Sequence, residues 1–265
     1  MRITVLGKSP SWQDAGGACS GYLVEHEGTR VLMDCGNGVF AKLRSIVDYV
    51  ELDAVVISHM HADHCLDLVP YSYALTYAPR QQPVPVGGYP GTRTPARPWL
   101  HIPPGATQTL RTLGDLWGAD RLIENAFRLE EYDPAKVIEV GSLRLRFGEV
   151  PHYVPTYAIE AWPADGDRPR FTYGADCSPN DALVEFAQDT DLLLIEATLP
   201  RPERSGMRGH LTCDEAGDHG RRAGAHRLVI THLSDELDIA DAREGASEAF
   251  GSPVEVAHEG ATYDL

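Results

Sequence analysis

The chain has no run of about 18 or more apolar residues, so no membrane-spanning helix is expected. Its opening residues, Met1-Arg2-Ile3-Thr4-Val5-Leu6-Gly7, carry no long apolar stretch and no small-residue cleavage site, and they do not read as a signal peptide. The five cysteines (Cys19, Cys35, Cys65, Cys177 and Cys213) are scattered without CxxC spacing, which leaves zinc fingers unsupported. With no export signal they read as reduced thiols of a cytoplasmic protein. Basic residues are in deficit, 23 Lys and Arg against 39 Asp and Glu, for a net charge of −16 with histidine neutral. Such a surface repels a phosphate backbone at long range, which counts against a large nucleic-acid partner but leaves room for a small anion. No internal repeat and no low-complexity linker interrupts the 265 residues. Their 43% hydrophobic and 23% charged content is that of an ordinary globular chain, which excludes disorder over most of its length.

What is present is a series of short strands punctuated by Gly, Asp and Asn, alternating with a few helices. Residues 2–6 read as a strand. Residues 21–26 and 29–33 read as a hairpin closed around Glu27-Gly28. Residues 39–50 have helical spacing of their apolar positions. Asp53-Ala54-Val55-Val56-Ile57-Ser58 is a short apolar run suited to a strand buried on both faces. A helix is expected from about Asp63. Residues 79–105 form the one irregular stretch, with eight prolines and with Arg80, Arg93 and Arg97 but no acidic residue. They read as a loop insertion, either solvated or a flap facing substrate or a partner. Strands are expected again at 127–132, 136–140, 143–150, 157–162 and 171–175. After them come helix 181–187, strand 191–195, helix 213–223, strand 227–231, helix 239–250, and strands 254–257 and 262–264. Two sheets covered on their outer faces by helices fit this order, in one domain spanning 1–265.

The densest chemistry is His59-Met60-His61-Ala62-Asp63-His64, three histidines and one aspartate directly after an apolar strand. At a strand end His59 and His61 point the same way, and the turn that follows can bring Asp63 and His64 to a second point. Imidazole and carboxylate suit zinc and similar divalent ions. One such cluster cannot complete two metal sites, so further ligands must come from other strand ends. His152, Asp176 and His232 each stand just beyond an apolar run. His26, His101, His219, His226 and His258 lack that setting and read as ordinary polar residues.

In type, order and strand context these seven residues resemble the metallo-β-lactamase superfamily over the whole chain, from the first strand through Asp34-Cys35-Gly36 to the last strands. The resemblance implies an α/β, four-layer αββα sandwich of two mixed β-sheets with two metals at one edge. By it, His59, His61 and His152 would hold the first ion and Asp63, His64 and His232 the second, with Asp176 bridging. Zinc suits the ligands, and manganese or iron stay open. A finer likeness lies in Glu196-Ala197-Thr198, Gly209-His210-Leu211-Thr212 and Glu215-Ala216-Gly217. It is similar to the ribonuclease Z branch, with its HEAT-like segment and a further histidine before a helix. The segment around His59 to Leu68 also resembles bacterial cyclic-nucleotide phosphodiesterases of the superfamily. Ile195 stands where ribonuclease Z carries the histidine of HEAT, and no long Gly-rich arm of the tRNA-gripping kind is present.

These likenesses imply a dinuclear hydrolase in which a hydroxide bridging the metals attacks phosphorus. Asp63, His210 and Glu196 are the expected catalytic residues, with protonated His210 giving its proton to the leaving oxygen and Glu196 holding the imidazole. Charge favours a small phosphodiester such as a cyclic nucleotide over folded RNA. The alternatives are a ribonuclease Z-like tRNA 3′-processing endonuclease and a hydrolase of lactones, thioesters or lactams. A non-catalytic metal-binding protein is a third class, against which the full ligand set argues. A cytoplasmic homodimer with no membrane partner is the expected setting.

Overall fold

The structure, a computed structural model, describes residues 1–203 and 205–265. Its strands are β1 (Arg2–Gly7), β2 (Gly21–His26), β3 (Thr29–Met33), β4 (Ala54–Val56), β5 (Trp99–Ile102), β6 (Arg128–Glu131), β7 (Ile138–Val140), β8 (Leu143–Val150), β9 (Thr156–Pro163), β10 (Phe171–Tyr173), β11 (Leu192–Glu196), β12 (Leu228–Thr231), β13 (Glu255–Val256) and β14 (Thr262–Asp264). The helices are α1 (Val39–Ile46), α2 (Ala62–Cys65), α3 (Leu68–Tyr77), α4 (Ala106–Asp115), α5 (Leu122–Ala126), α6 (Asp181–Phe186), α7 (Cys213–Ala223) and α8 (Ile239–Phe250).

Among the described residues the strands form two seven-stranded sheets, ordered β14-β1-β2-β3-β4-β5-β6 and β13-β12-β11-β10-β9-β8-β7. Both are mixed. In the first, β14 to β3 pair antiparallel and β3 to β6 parallel. In the second, β7 to β10 pair antiparallel and β10 to β13 parallel. The layering follows from which faces are apolar. Ile3, Val5, Val31, Met33 and Val56 from one sheet meet Leu145, Phe147, Ile159, Phe171 and Leu194 from the other in a central core. The alternate residues Leu6, Leu23, Leu32, Val55 and Leu100 face outward onto α1, α3 and α5. Leu193, Ile195, Leu228 and Ile230 face outward onto α6, α7 and α8. Strands with both faces covered need apolar residues at successive positions, which is why Ala54-Val55-Val56 and Leu192-Leu193-Leu194-Ile195 are continuous runs. The αββα sandwich is therefore as expected.

Three segments differ from the sequence reading. The helix expected over 39–50 stops at Ile46, because Val47 is extended and a separate 3₁₀ turn spans Tyr49–Glu51. The stretch 79–105 is not irregular throughout. Trp99–Ile102 pairs with β4 and β6 as an interior strand, hidden from pattern reading by the prolines on both sides. The irregular part, up to Pro98, lies at the end of the sheet away from the His59 cluster. Ala54, at the start of β4, pairs with Trp99, while the cluster follows the end of β4. Arg80 pairs there with Asp48 and stacks over Tyr49. This stretch is not a flap over the histidines. Two helices that the sequence pattern does not predict, α4 and α5, fill the interval before β6.

Candidate metal centre

Strand ends converge at one edge of the sandwich. His59 follows β4, His152 follows β8, Asp176 follows β10, Glu196 ends β11 and His232 follows β12. α2 then turns the chain so that Asp63 and His64 come back toward the same edge. That turn needs a close approach: a Cβ on Gly36 would lie 1.8 Å from the carbonyl oxygen of Asp63, so only glycine fits there. Asp67, just beyond α2, accepts from the amide of Phe40 at 2.9 Å and so closes the start of α1, which has no cap of its own.

The seven expected ligands are brought together as two groups. In the first, Nδ1 of His61 lies 3.2 Å from Nε2 of His59 and 3.1 Å from Nε2 of His152. In the second, Nε2 of His64 lies 3.5 Å from Oδ2 of Asp63 and 3.3 Å from Oδ2 of Asp176, and Nε2 of His232 lies 3.3 Å and 3.5 Å from the same two oxygens. Oδ2 of Asp176 also stands 3.9 Å and 4.0 Å from the first group's His59 and His152, between the two.

These donor sets fit divalent ions. A tetrahedral zinc with Zn–N distances of ~2.0–2.1 Å holds its ligand nitrogens ~3.3 Å apart, close to the observed spacing. Nε2 of His64 is buried without a hydrogen-bond partner, a costly state unless a cation takes the lone pair. The far nitrogens are already spent. His59 donates from Nδ1 to Ser58 Oγ at 3.0 Å, His64 to Asp34 Oδ2 at 2.7 Å, His152 to the carbonyl of Gly209 at 2.7 Å, and His232 to Thr198 Oγ1 at 2.8 Å. Each bond fixes the tautomer that turns the lone pair of Nε2 inward.

Electrostatics separate the two groups. Burial pushes His59, His61 and His152 below the ordinary imidazole value, toward the neutral form a ligand needs. Burial would raise Asp63 and Asp176, yet both are held well below the usual carboxylate range by His232 and His64. Burial opposes the charged form of His64, but Asp176 and Asp34 hold it above the usual value, so a cation bound beside these carboxylates would take the place of the proton on Nε2.

Glu196 and His210 sit beside these groups. His210 donates from Nδ1 to Glu196 Oε1 at 2.9 Å, and the same atom lies 3.9 Å from Oδ2 of Asp176. Glu196 is buried and also accepts from the amide of Cys177, the amide of Thr198 and Thr198 Oγ1, so its oxygens are occupied by donors. Burial pulls His210 down, but the hydrogen bond and charge of Glu196, with Asp176 beyond, carry it up to about 9. His210 is fixed by the start of α7. Thr212 and Glu215 form a reciprocal capping box, and Arg208 grips Glu215 at 2.8 Å and 2.7 Å and donates to the carbonyl of His210.

Pattern reading found the inward residues and missed the layer that holds them. Asp34 is fully buried and accepts from the amide and hydroxyl of Ser58, from His64 and from the Tyr173 hydroxyl. Its only signal is its place after the apolar run of β3. Thr198 links His232 to Glu196. Two of the histidines read as ordinary are buried: His101 stacks on Trp99, and His219 spans Asn180 and Glu215.

A family model described as "Beta-lactamase superfamily domain" matches residues 29–233. "Probable metallo-hydrolase YhfI" of Bacillus subtilis is 29% identical over 272 residues, covering all of both chains. "Ribonuclease Z" of Halorubrum lacusprofundi is 27% identical over 286 residues, covering 94% of this chain and 92% of that one. The crystal structure of YhfI, a metallo-beta-lactamase fold protein, superposes with a TM-score of 0.82 at 26% identity, covering 99% of this chain and 98% of the other.

Proposed function

Because the chain belongs to the beta-lactamase superfamily, and to its metal-dependent hydrolases, we propose that it cleaves a small phosphodiester such as a cyclic nucleotide. The observation that supports this most is the Glu196–His210 pair, an oriented proton donor held 3.9 Å from the carboxylate that joins the two ligand groups. His59, His61 and His152 would hold one divalent ion and Asp63, His64 and His232 the other, with Asp176 shared. Zinc matches the nitrogen and oxygen donors. When bound, such ions supply positive charge for the phosphoryl oxygens and acidify water toward neutral pH.

The chain's own residues do the rest. His210 keeps one proton on Nδ1 for Glu196 and, when charged, gives the one on Nε2 to the leaving oxygen as the P–O bond breaks. Glu196 favours that charged form and stops the ring from rotating. Asp63, held ionised by His232 and His64, would accept a hydrogen bond from the attacking water and so orient it. A net charge of −16 disfavours a long polyanion and costs a small diester little. The ribonuclease Z relative supports a second reading, cleavage of precursor tRNA.

The test gives metal-loaded protein 3′,5′-cyclic AMP and bis(p-nitrophenyl) phosphate, with His59→Ala and His210→Ala alongside. Both variants are expected to lose turnover of cyclic AMP, the second by roughly 10²–10⁴-fold. His210→Ala should keep a larger share on the p-nitrophenyl diester, whose leaving group needs no proton. A loaded wild type that leaves both diesters intact but cuts precursor tRNA, or opens a lactone or thioester with His210→Ala unaffected, overturns the proposal.

A further inference from the structure

Tyr153 follows His152 directly, and it is 42% exposed although it stands among the site histidines. Its ring centroid lies 4.9 Å from that of His152, 6.1 Å from that of His210 and 6.5 Å from that of His61. The ring is not free to wander. A Cβ on Gly209 would lie 2.1 Å from Cε2 and 2.4 Å from Cζ, so the tyrosine rests against a backbone that only glycine leaves bare. The carbonyl of that same Gly209 orients His152. One residue therefore sets both an inward histidine and the aromatic ring beside it.

We propose that Tyr153 is the platform on which a flat ring of the substrate stacks, so that the site prefers diesters carrying a nucleobase or aryl group. The inference rests on the phosphodiester reading above and names the substrate class within it. A phosphate placed between the ligand groups and His210 puts its substituents beside this ring. In a nucleotide a single ribose separates phosphate from base. Stacking asks for a pinned aromatic surface and no cation, which suits a chain poor in basic residues, and it accepts any base because every base has a π-face. Tyrosine fits this position because its ring can bind while its hydroxyl has a polar partner in Glu203.

The experiment compares 3′,5′-cyclic AMP with methyl riboside 3′,5′-cyclic phosphate, which has the same diester ring and leaving group but no base. Wild type, Tyr153→Phe, Tyr153→Leu and Tyr153→Gln are assayed. Wild type is expected to favour the nucleotide by about ten-fold in kcat/KM, chiefly through KM. Phenylalanine keeps that ratio, and leucine and glutamine bring it near one. Calorimetry with AMP against ribose 5-phosphate reads the same contrast without turnover. Equal binding of the two by wild type, or a ratio that survives both Tyr153→Leu and Tyr153→Gln, overturns the role of Tyr153. If wild type hydrolyses neither diester, the phosphodiester reading falls, and the binding contrast alone decides whether the ring recognises a base.

Discussion

His59, His61 and His152 meet through neutral imidazoles, with His61 partly open to solvent, whereas Asp63, His64, Asp176 and His232 are all buried and bring two carboxylates. Their anchors differ as well. His152 leans on a loop carbonyl, that of Gly209, while His64 is tied to a fully buried Asp34 that also takes three other donors. His61 and His152 form a rim, whereas His59 and the whole second group are built into the core. Between them stands Oδ2 of Asp176, and behind them Ser58, whose hydroxyl donates to Asp34 and accepts from His59. The two halves are distinct inward and joined outward.

The comparison can be broken most severely at Asp176, the carboxylate between the two groups. In protein loaded with zinc, Asp176→Asn is expected to remove turnover and to cut metal content, read by elemental analysis, in both groups together. Asp34→Ala should act on the second group: zinc content falls toward one per chain, and affinity drops by about 10–100-fold, the usual effect of losing a partner to a ligand. Two equal, retained ions after that change would dissolve the distinction. Chelation sharpens it further. Titration with EDTA, followed with a zinc-release dye, should be biphasic, the rim ion leaving first because His61 is open. The smallest effect is expected for Ser58→Ala, a loss of about ten-fold in affinity spread over both phases. Confinement to one phase would show that the outer join carries nothing.

The inward half of this arrangement was legible in the sequence because strand ends and metal-binding residue types are local signals. His59-Met60-His61-Ala62-Asp63-His64 follows an apolar run, and so do His152, Asp176 and His232. Two sheets with outer helices followed from alternating strands and helices. The supporting half was not legible, since Asp34 gains its meaning only when β3, β4 and β10 bring Ser58, His64 and Tyr173 around it. Tyr153 and Gly209 are 56 positions apart and carry no shared pattern. β5 was hidden for the opposite reason: a proline-rich approach masked a strand that tertiary pairing holds in place.

The stretch before β5 has a practical consequence. Residues 83–90 are exposed, and a Cβ on Gly87 or Gly88 would meet nothing within 4 Å. This segment hangs from the end of the first sheet opposite the histidines. An affinity tag, a fluorophore or a surface tether inserted at Gly87-Gly88 would leave the chain's chemistry facing outward, giving an immobilised form whose open mouth meets the solution.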